Sequence, residues 1–163
     1  MKYYLLDASA FIYAIENLTS LKHNFFLEHA NGDAFLYMPQ FCVTEVLNCF
    51  AKFFYRSNKI GEASYVKWKD MFLSQIRQRK VIYCYDLHRY HNINIDKIIE
   101  LEHKTPYSQK EGALSSFDIL IIAMGMELKR IHPSCEVNTL TRDGRLLKIS
   151  NIDPALATAI WLE

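Results

Sequence analysis

The stretch Leu5-Leu6-Asp7-Ala8-Ser9-Ala10-Phe11 constrains this chain most, because a hydrophobic strand stops at a carboxylate and passes at once into a helix. Tyr3, Tyr4, Leu5 and Leu6 form a short apolar run with β character, the pattern of a strand covered on both faces. Ser9 suits the N-cap of the helical pattern Phe11, Ile12, Ile15 that follows. Asp7 therefore stands at the strand's end, and in an open α/β sheet the ligand crevice lies outside the carboxyl ends of the strands. The same acid also serves as a plain second cap for the helix. The choice between these readings depends on whether other acids reach the same place.

Strand and helix patterns alternate along the rest of the chain. Thr19 or Ser20 can cap a helix over 21–30 that ends at Asn31-Gly32, and a second strand follows over 34–38. Pro39 suits the first turn of a helix carrying Phe41, Cys42, Thr44, Glu45, Asn48, Cys49 and Lys52. Val46, Leu47, Phe50, Phe53 and Phe54 have the spacing of its core face. Gly61 opens another amphipathic helix with Tyr65, Trp68, Phe72 and Ile76 as its apolar stripe, and Lys67, Lys69, Arg77, Arg79 and Lys80 on or beyond its polar side. A third strand over 81–85 ends at Asp86, a wet helical segment covers 87–103, and 104–112 reads as a loop. Ser115-x-x-Asp118 opens a helix so apolar, Ile119 through Met124, that it must lie against the sheet. A fourth strand over 136–140 turns through Thr141-Arg142-Asp143-Gly144-Arg145 into the last helix. The expected architecture is three-layered α/β/α, with a central, mainly parallel sheet of four to five strands.

The 163 residues suit one domain, 1–163, with an extended helical region at about 57–113. Half the residues are hydrophobic and 13% aromatic, enough to leave an exposed apolar face for a partner or a second copy. The longest apolar run, 119–126, is too short to span a bilayer, and one Lys before a few apolar residues does not make a signal peptide. A cytoplasmic protein with no membrane contact is expected. Cys42, Cys49, Cys84 and Cys135 lack C-x-x-C spacing and read as reduced, mostly buried thiols. A net charge of +1 argues against a globally basic nucleic-acid binder and leaves room for a local basic face. Asp86-x-His88-x-x-His91 has metal-like spacing without the Glu of a metalloprotease, so its histidines are expected at the surface.

Asp7, Glu45, Asp118 and Asp143 share a feature: each falls at a strand end or in the first turns of the helix that follows. Topology would gather them at one end of the sheet. Such a cluster is unfavourable unless cations neutralise it, and all-oxygen ligands favour Mg²⁺ or Mn²⁺ over Zn²⁺. Each acid also has a plainer reading. Asp118 completes a capping box with Ser115, Asp143 before Gly144 is a turn residue, and Glu45 is either an exposed helix charge or one buried among Val43, Val46 and Leu47.

The spaced set L-L-D-A-S, T-E-V-L-N, S-S-F-D-I-L-I-I-A and T-R-D-G-R-L-L resembles the PIN-domain ribonucleases, and more narrowly the VapC-like toxins of toxin–antitoxin pairs. The resemblance runs from Lys2 to about Lys148. It implies a PIN-like fold in which Asp7, Glu45, Asp118 and Asp143 hold one or two Mg²⁺ or Mn²⁺ ions that cut RNA, with Ser9, Ser116 and Thr141 in support. It also implies an antitoxin partner and a homodimer. Lys52, Arg56, Lys67 and Lys69 are candidates for holding the RNA backbone. The segment between Glu45 and Asp118 is longer than in the compact toxins. A dehalogenase-type phosphatase would need an acid where Ser9 stands, and a receiver domain would need an acidic pair where Leu6 stands. The remaining alternative is a non-catalytic PIN-fold RNA-binding or assembly domain.

Overall fold

Tyr4, Leu5 and Leu6 are fully buried in the first strand, as their unbroken apolar run requires. The computed structural model describes residues 1–17, 24–77, 81–107 and 112–163. In chain order the elements are β1 (Lys2–Leu6), α1 (Ala8–Glu16), α2 (Phe25–Ala30), β2 (Ala34–Pro39), α3 (Gln40–Tyr55), α4 (Glu62–Arg77) and β3 (Ile82–Tyr85). After a 3₁₀ turn (Arg89–Asn94) come α5 (Ile95–Lys104), α6 (Ser116–Ile131), β4 (Glu136–Thr141), α7 (Gly144–Ser150) and β5 (Thr158–Trp161).

The five strands form one all-parallel sheet in the order β3-β2-β1-β4-β5. The chain thus builds outward from β1 to one edge, then crosses over and builds outward to the other. The order reverses between β1 and β4, which is where ligand crevices form in doubly wound sheets. α6 lies close on the sheet because Gly125 has no side chain there: a Cβ would stand 3.0 Å from Ala157 and 3.1 Å from Thr139 Oγ1. On the other face Phe11, Phe50 and Phe72 interlock, with ring centroids 4.8 Å apart for Phe11–Phe72 and 6.1 Å for Phe50–Phe72.

Several expectations change. Ser9 lies inside α1 rather than capping it; the cap position belongs to Asp7, whose side chain makes no capping hydrogen bond. α2 starts at Phe25 with Asn24 accepting from the Leu27 N–H, while Thr19, Ser20 and Leu21 lie outside the described residues, as do Arg79 and Lys80. Within 57–113 the strand expected over 81–85 is β3 (Ile82–Tyr85), between α4 and the 3₁₀ turn that leads into α5. A fifth strand, β5, comes from Thr158–Trp161, too short and mixed to show a period. His88 is exposed, but His91 is buried: Nδ1 accepts from the His88 N–H, so the ring proton lies on Nε2, beside Tyr85 Oη at 3.0 Å. Only Cys42 among the thiols is fully buried, and Cys84 is exposed.

A buried ion pair ties α5 to α7. Arg145 Nε donates to Glu102 Oε2 at 2.9 Å, and its guanidinium also reaches the carbonyls of Glu102, Thr105 and Pro106. Glu102 Oε1 accepts from Tyr107 Oη and the Leu114 N–H. One carboxylate therefore spans the approach to α6 and the first turn of α7. Removing either charge strands the other in a buried place, at a cost of about 3–5 kcal/mol. Arg145→Met and Glu102→Gln should each show that loss in urea unfolding, and the double variant should lose clearly less than their sum. Additive losses would mean that the two charges do not depend on each other.

Candidate metal centre

Asp7 ends β1 at the point where the strand order reverses, and its N–H donates to the Leu140 carbonyl of the neighbouring β4. The residue is 6% exposed. Oδ2 accepts from Ser9 Oγ at 2.5 Å and from Thr141 Oγ1 at 2.8 Å. Neither hydroxyl can turn away. The Arg142 N–H donates to Ser9 Oγ at 3.0 Å and the Asp143 N–H donates to Thr141 Oγ1 at 2.9 Å, so each hydroxyl accepts from the backbone and directs its proton at Asp7. Asp7 thus stands at the N-cap position of α1 while its carboxylate accepts from Ser9 and Thr141, the two residues expected in support.

The other acids arrive by different routes. Glu45 lies in the second turn of α3 and is exposed as a residue, not buried among its apolar neighbours. Its carboxyl, the Asp7 carboxyl and the Cys42 thiol place one ligand atom each within 4.8 Å of one another. Asp118 forms the capping box foreseen for α6: Oδ2 accepts from the Ser115 N–H at 2.7 Å, and its own N–H donates to Ser115 Oγ at 3.2 Å. It still stands close enough for its charge to act on both Asp7 and Glu45. Asp143 caps α7, with Oδ1 accepting from the Leu146 N–H at 2.7 Å, and joins the group through Thr141. In Asp118 and Asp143, then, capping occupies one carboxylate oxygen, and the cap and ligand readings do not compete. Ser116, expected in support, is exposed at the first position of α6, and the cap role beside it falls to Ser115.

Electrostatics follow from this placement. Burial pushes the Asp7 carboxyl above the usual range; Ser9 and Thr141 pull it back, and the charge of Asp118 adds to the rise. The Glu45 carboxyl is likewise raised, first by partial burial and then by Asp7, with Cys42 lowering it and Asp118 raising it further. Cys42 is the member that sequence reasoning missed, although its i, i+3 spacing to Glu45 puts both on one helix face. Burial and the nearby Asp7 push its thiol far above the ordinary range, so it stays protonated and donates to Glu45. In the metal-free protein the group therefore offers two carboxylates and a neutral thiol.

The basic residues proposed for RNA do not converge here. Lys52 and Arg56 are two and three turns down α3 from Glu45, about 10 and 16 Å along the axis. Lys67 and Lys69 are on α4, and Lys69 pairs with Asp70 at 3.8 Å and lies over the Tyr65 ring.

No protein-family model and no curated protein sequence matches the chain. Among solved structures, it is similar to the crystal structure of VapBC2 from Rickettsia felis bound to a DNA fragment from their promoter, with a TM-score of 0.62, 15% identity and 99% of each chain covered. The chain has this PIN-like α/β fold.

The raised Asp7 carboxyl has a consequence for the metal-free protein. A folded-state pKa above the unfolded value near 4 means that the stability contributed by Asp7 is fully present below about pH 4 and is lost as pH rises through the folded value. At neutral pH the ionised group is thus a cost. Asp7→Asn, whose amide oxygen keeps both hydroxyl bonds, should in EDTA melt no lower than wild type at pH 7, and the difference between the two should shrink on acidification. Added Mn²⁺ should stabilise wild type by roughly 2.7 kcal/mol at a hundredfold excess over Kd, and the variant less. Melting curves at two pH values, with and without Mn²⁺, check both; equal Mn²⁺ shifts in the two proteins would remove Asp7 from the site.

Proposed function

We propose that this chain is a Mg²⁺- or Mn²⁺-dependent endoribonuclease of the PIN type, and the toxin of a toxin–antitoxin pair that works in the cytoplasm. The observation that carries this reading is the buried, hydroxyl-clamped Asp7 at the sheet's switch point, with Glu45 and Asp118 within electrostatic reach. Asp7, Asp118 and Asp143 are the proposed ligands. A bound ion would neutralise charge developing on the phosphate and lower the pKa of the attacking water. Ser9 and Thr141 keep the Asp7 carboxylate from rotating, so its position does not reorganise during the reaction. Glu45, solvent-facing and raised in pKa, is placed to ligate or to orient that water and accept its proton.

The VapBC2 structure pairs its proteins on promoter DNA, and the shared fold supports an antitoxin partner for this chain; a homodimer follows from the same reading. Among the described residues no helix is long and apolar enough to cross a membrane.

Cleavage of unstructured RNA should require Mg²⁺ or Mn²⁺ and stop in EDTA. Asp118→Asn should lower the rate at least a hundredfold with little change in melting temperature, since the amide oxygen can still accept from the Ser115 N–H. Activity near the wild-type level in that variant would remove Asp118 from the site. RNA binding by wild type without any cleavage would instead favour a non-catalytic PIN-fold domain. For self-association, sedimentation should show a dimer at micromolar concentration.

A further inference from the structure

Beside the acids lies a feature that the proposed chemistry does not use. Phe117, immediately before Asp118, is 48% exposed and stacks on Phe41, with centroids 5.0 Å apart and planes 24° from parallel. Phe41 stands one helical turn before Glu45, on the same face of α3. The two rings form one wall of a cavity of about 390 Å³ completed by Gln40, Thr44, Leu87 and Leu120. That volume is in the range of small-ligand sites, roughly 300–1,000 Å³.

We propose that Phe117, backed by Phe41, is a stacking platform for one nucleobase of single-stranded RNA next to the scissile phosphate. The inference rests on the ribonuclease reading above and names how that site holds its substrate.

Three observations favour a base over a protein side chain. First, each ring starts a helix that also carries a proposed ligand, Phe41 one turn before Glu45 in α3 and Phe117 next to Asp118 in α6, so a base seated there would have its phosphate near those acids. Second, the neighbouring carboxylates repel an RNA backbone, and Lys52 and Arg56 stand about two and three turns away from Glu45 down α3; uncharged stacking holds the strand where charge does not. Third, the rings are already parallel, and an exposed aromatic face accepts any base without a sequence code. Gln40, whose amide both donates and accepts, and Thr44 line the same cavity and can meet a base edge.

The test uses the whole chain and a short unstructured RNA carrying a fluorescent adenine analogue that stacking quenches, with Ca²⁺ in place of Mg²⁺ for binding and Mn²⁺ for turnover. Phe117→Ala should weaken binding between tenfold and a hundredfold, relieve the quenching and raise KM with kcat nearly unchanged. The loss should be the same at low and high salt, because stacking displaces no counterions. Phe117→Trp should keep affinity and quenching, whereas Phe117→Leu, apolar but without a π face, should behave like the alanine variant. Because the ring is exposed, all three variants should melt close to wild type. Binding within twofold of wild type for Phe117→Ala, or full rescue by leucine, would overturn the platform while leaving the nuclease intact. Loss of self-association or of antitoxin binding, with RNA binding unchanged, would likewise overturn it and make this face a protein contact. Failure of wild type to bind or cut any RNA would defeat the ribonuclease reading itself, an outcome that no Phe117 variant is needed to see.

Discussion

The structure around the candidate centre depends on one buried carboxylate being held by two hydroxyls that have no choice of direction. An Asp at 6% exposure is expensive to ionise, and a site built on it must keep it both charged on demand and fixed in place. Ser9 and Thr141 supply the fixing, and the N–H groups of Arg142 and Asp143 supply the direction. Every partner in this relay comes from the end of β4, the turn that leaves it, or the first turn of the helix that follows β1. The carboxylate can therefore exist in this geometry only if the two strands are neighbours with their carboxyl ends level, which the register Leu6 opposite Leu140 provides.

The same economy runs through the other acids. Asp118 and Asp143 each spend one oxygen on capping a helix, so the helix start holds the side chain in place. This ties the orientation of the acids to the stability of α6 and α7. The buried Glu102–Arg145 pair strengthens that link, because Glu102 holds the Leu114 N–H just ahead of the α6 cap and Arg145 sits two residues beyond Asp143. Replacing such a pair by apolar side chains commonly preserves or raises stability, so its use here is better explained by the register it imposes than by net energy.

Repulsion among the acids sets the character of the site. Burial and neighbouring charge raise Asp7 and Glu45, while in the metal-free protein Cys42 stays a neutral thiol that donates to Glu45. A divalent ion bound there would relieve the repulsion, and carboxylate oxygens suit a hard cation. The likeness to VapBC2 at 15% identity covers 99% of each chain, so the fold is shared where most residues are not.

Much of this was legible in the amino-acid order, because the signals are local. The apolar run Tyr3 to Leu6, the capping box at Ser115 and the T-R-D turn each report on residues within a few positions, and from them follow an α/β fold and acids at the end of a strand or the start of a helix. What local pattern could not carry is contact between distant segments. That Ser9 bonds to Asp7 rather than capping α1, that Cys42 shares the space of Asp7 and Glu45, that His91 is buried under Tyr85, and that Glu102 meets Arg145 across forty-three positions are all outcomes of packing. β5 is the clearest case: Thr158–Trp161 has too few residues to show a period, and it becomes a strand because β4 presents an open row of backbone donors and acceptors beside it. Amino-acid order determined which groups the chain possesses and which element each begins or ends. The tertiary structure decided which of them meet, since hydrogen bonds and burial between remote segments exist only once the sheet has closed its order.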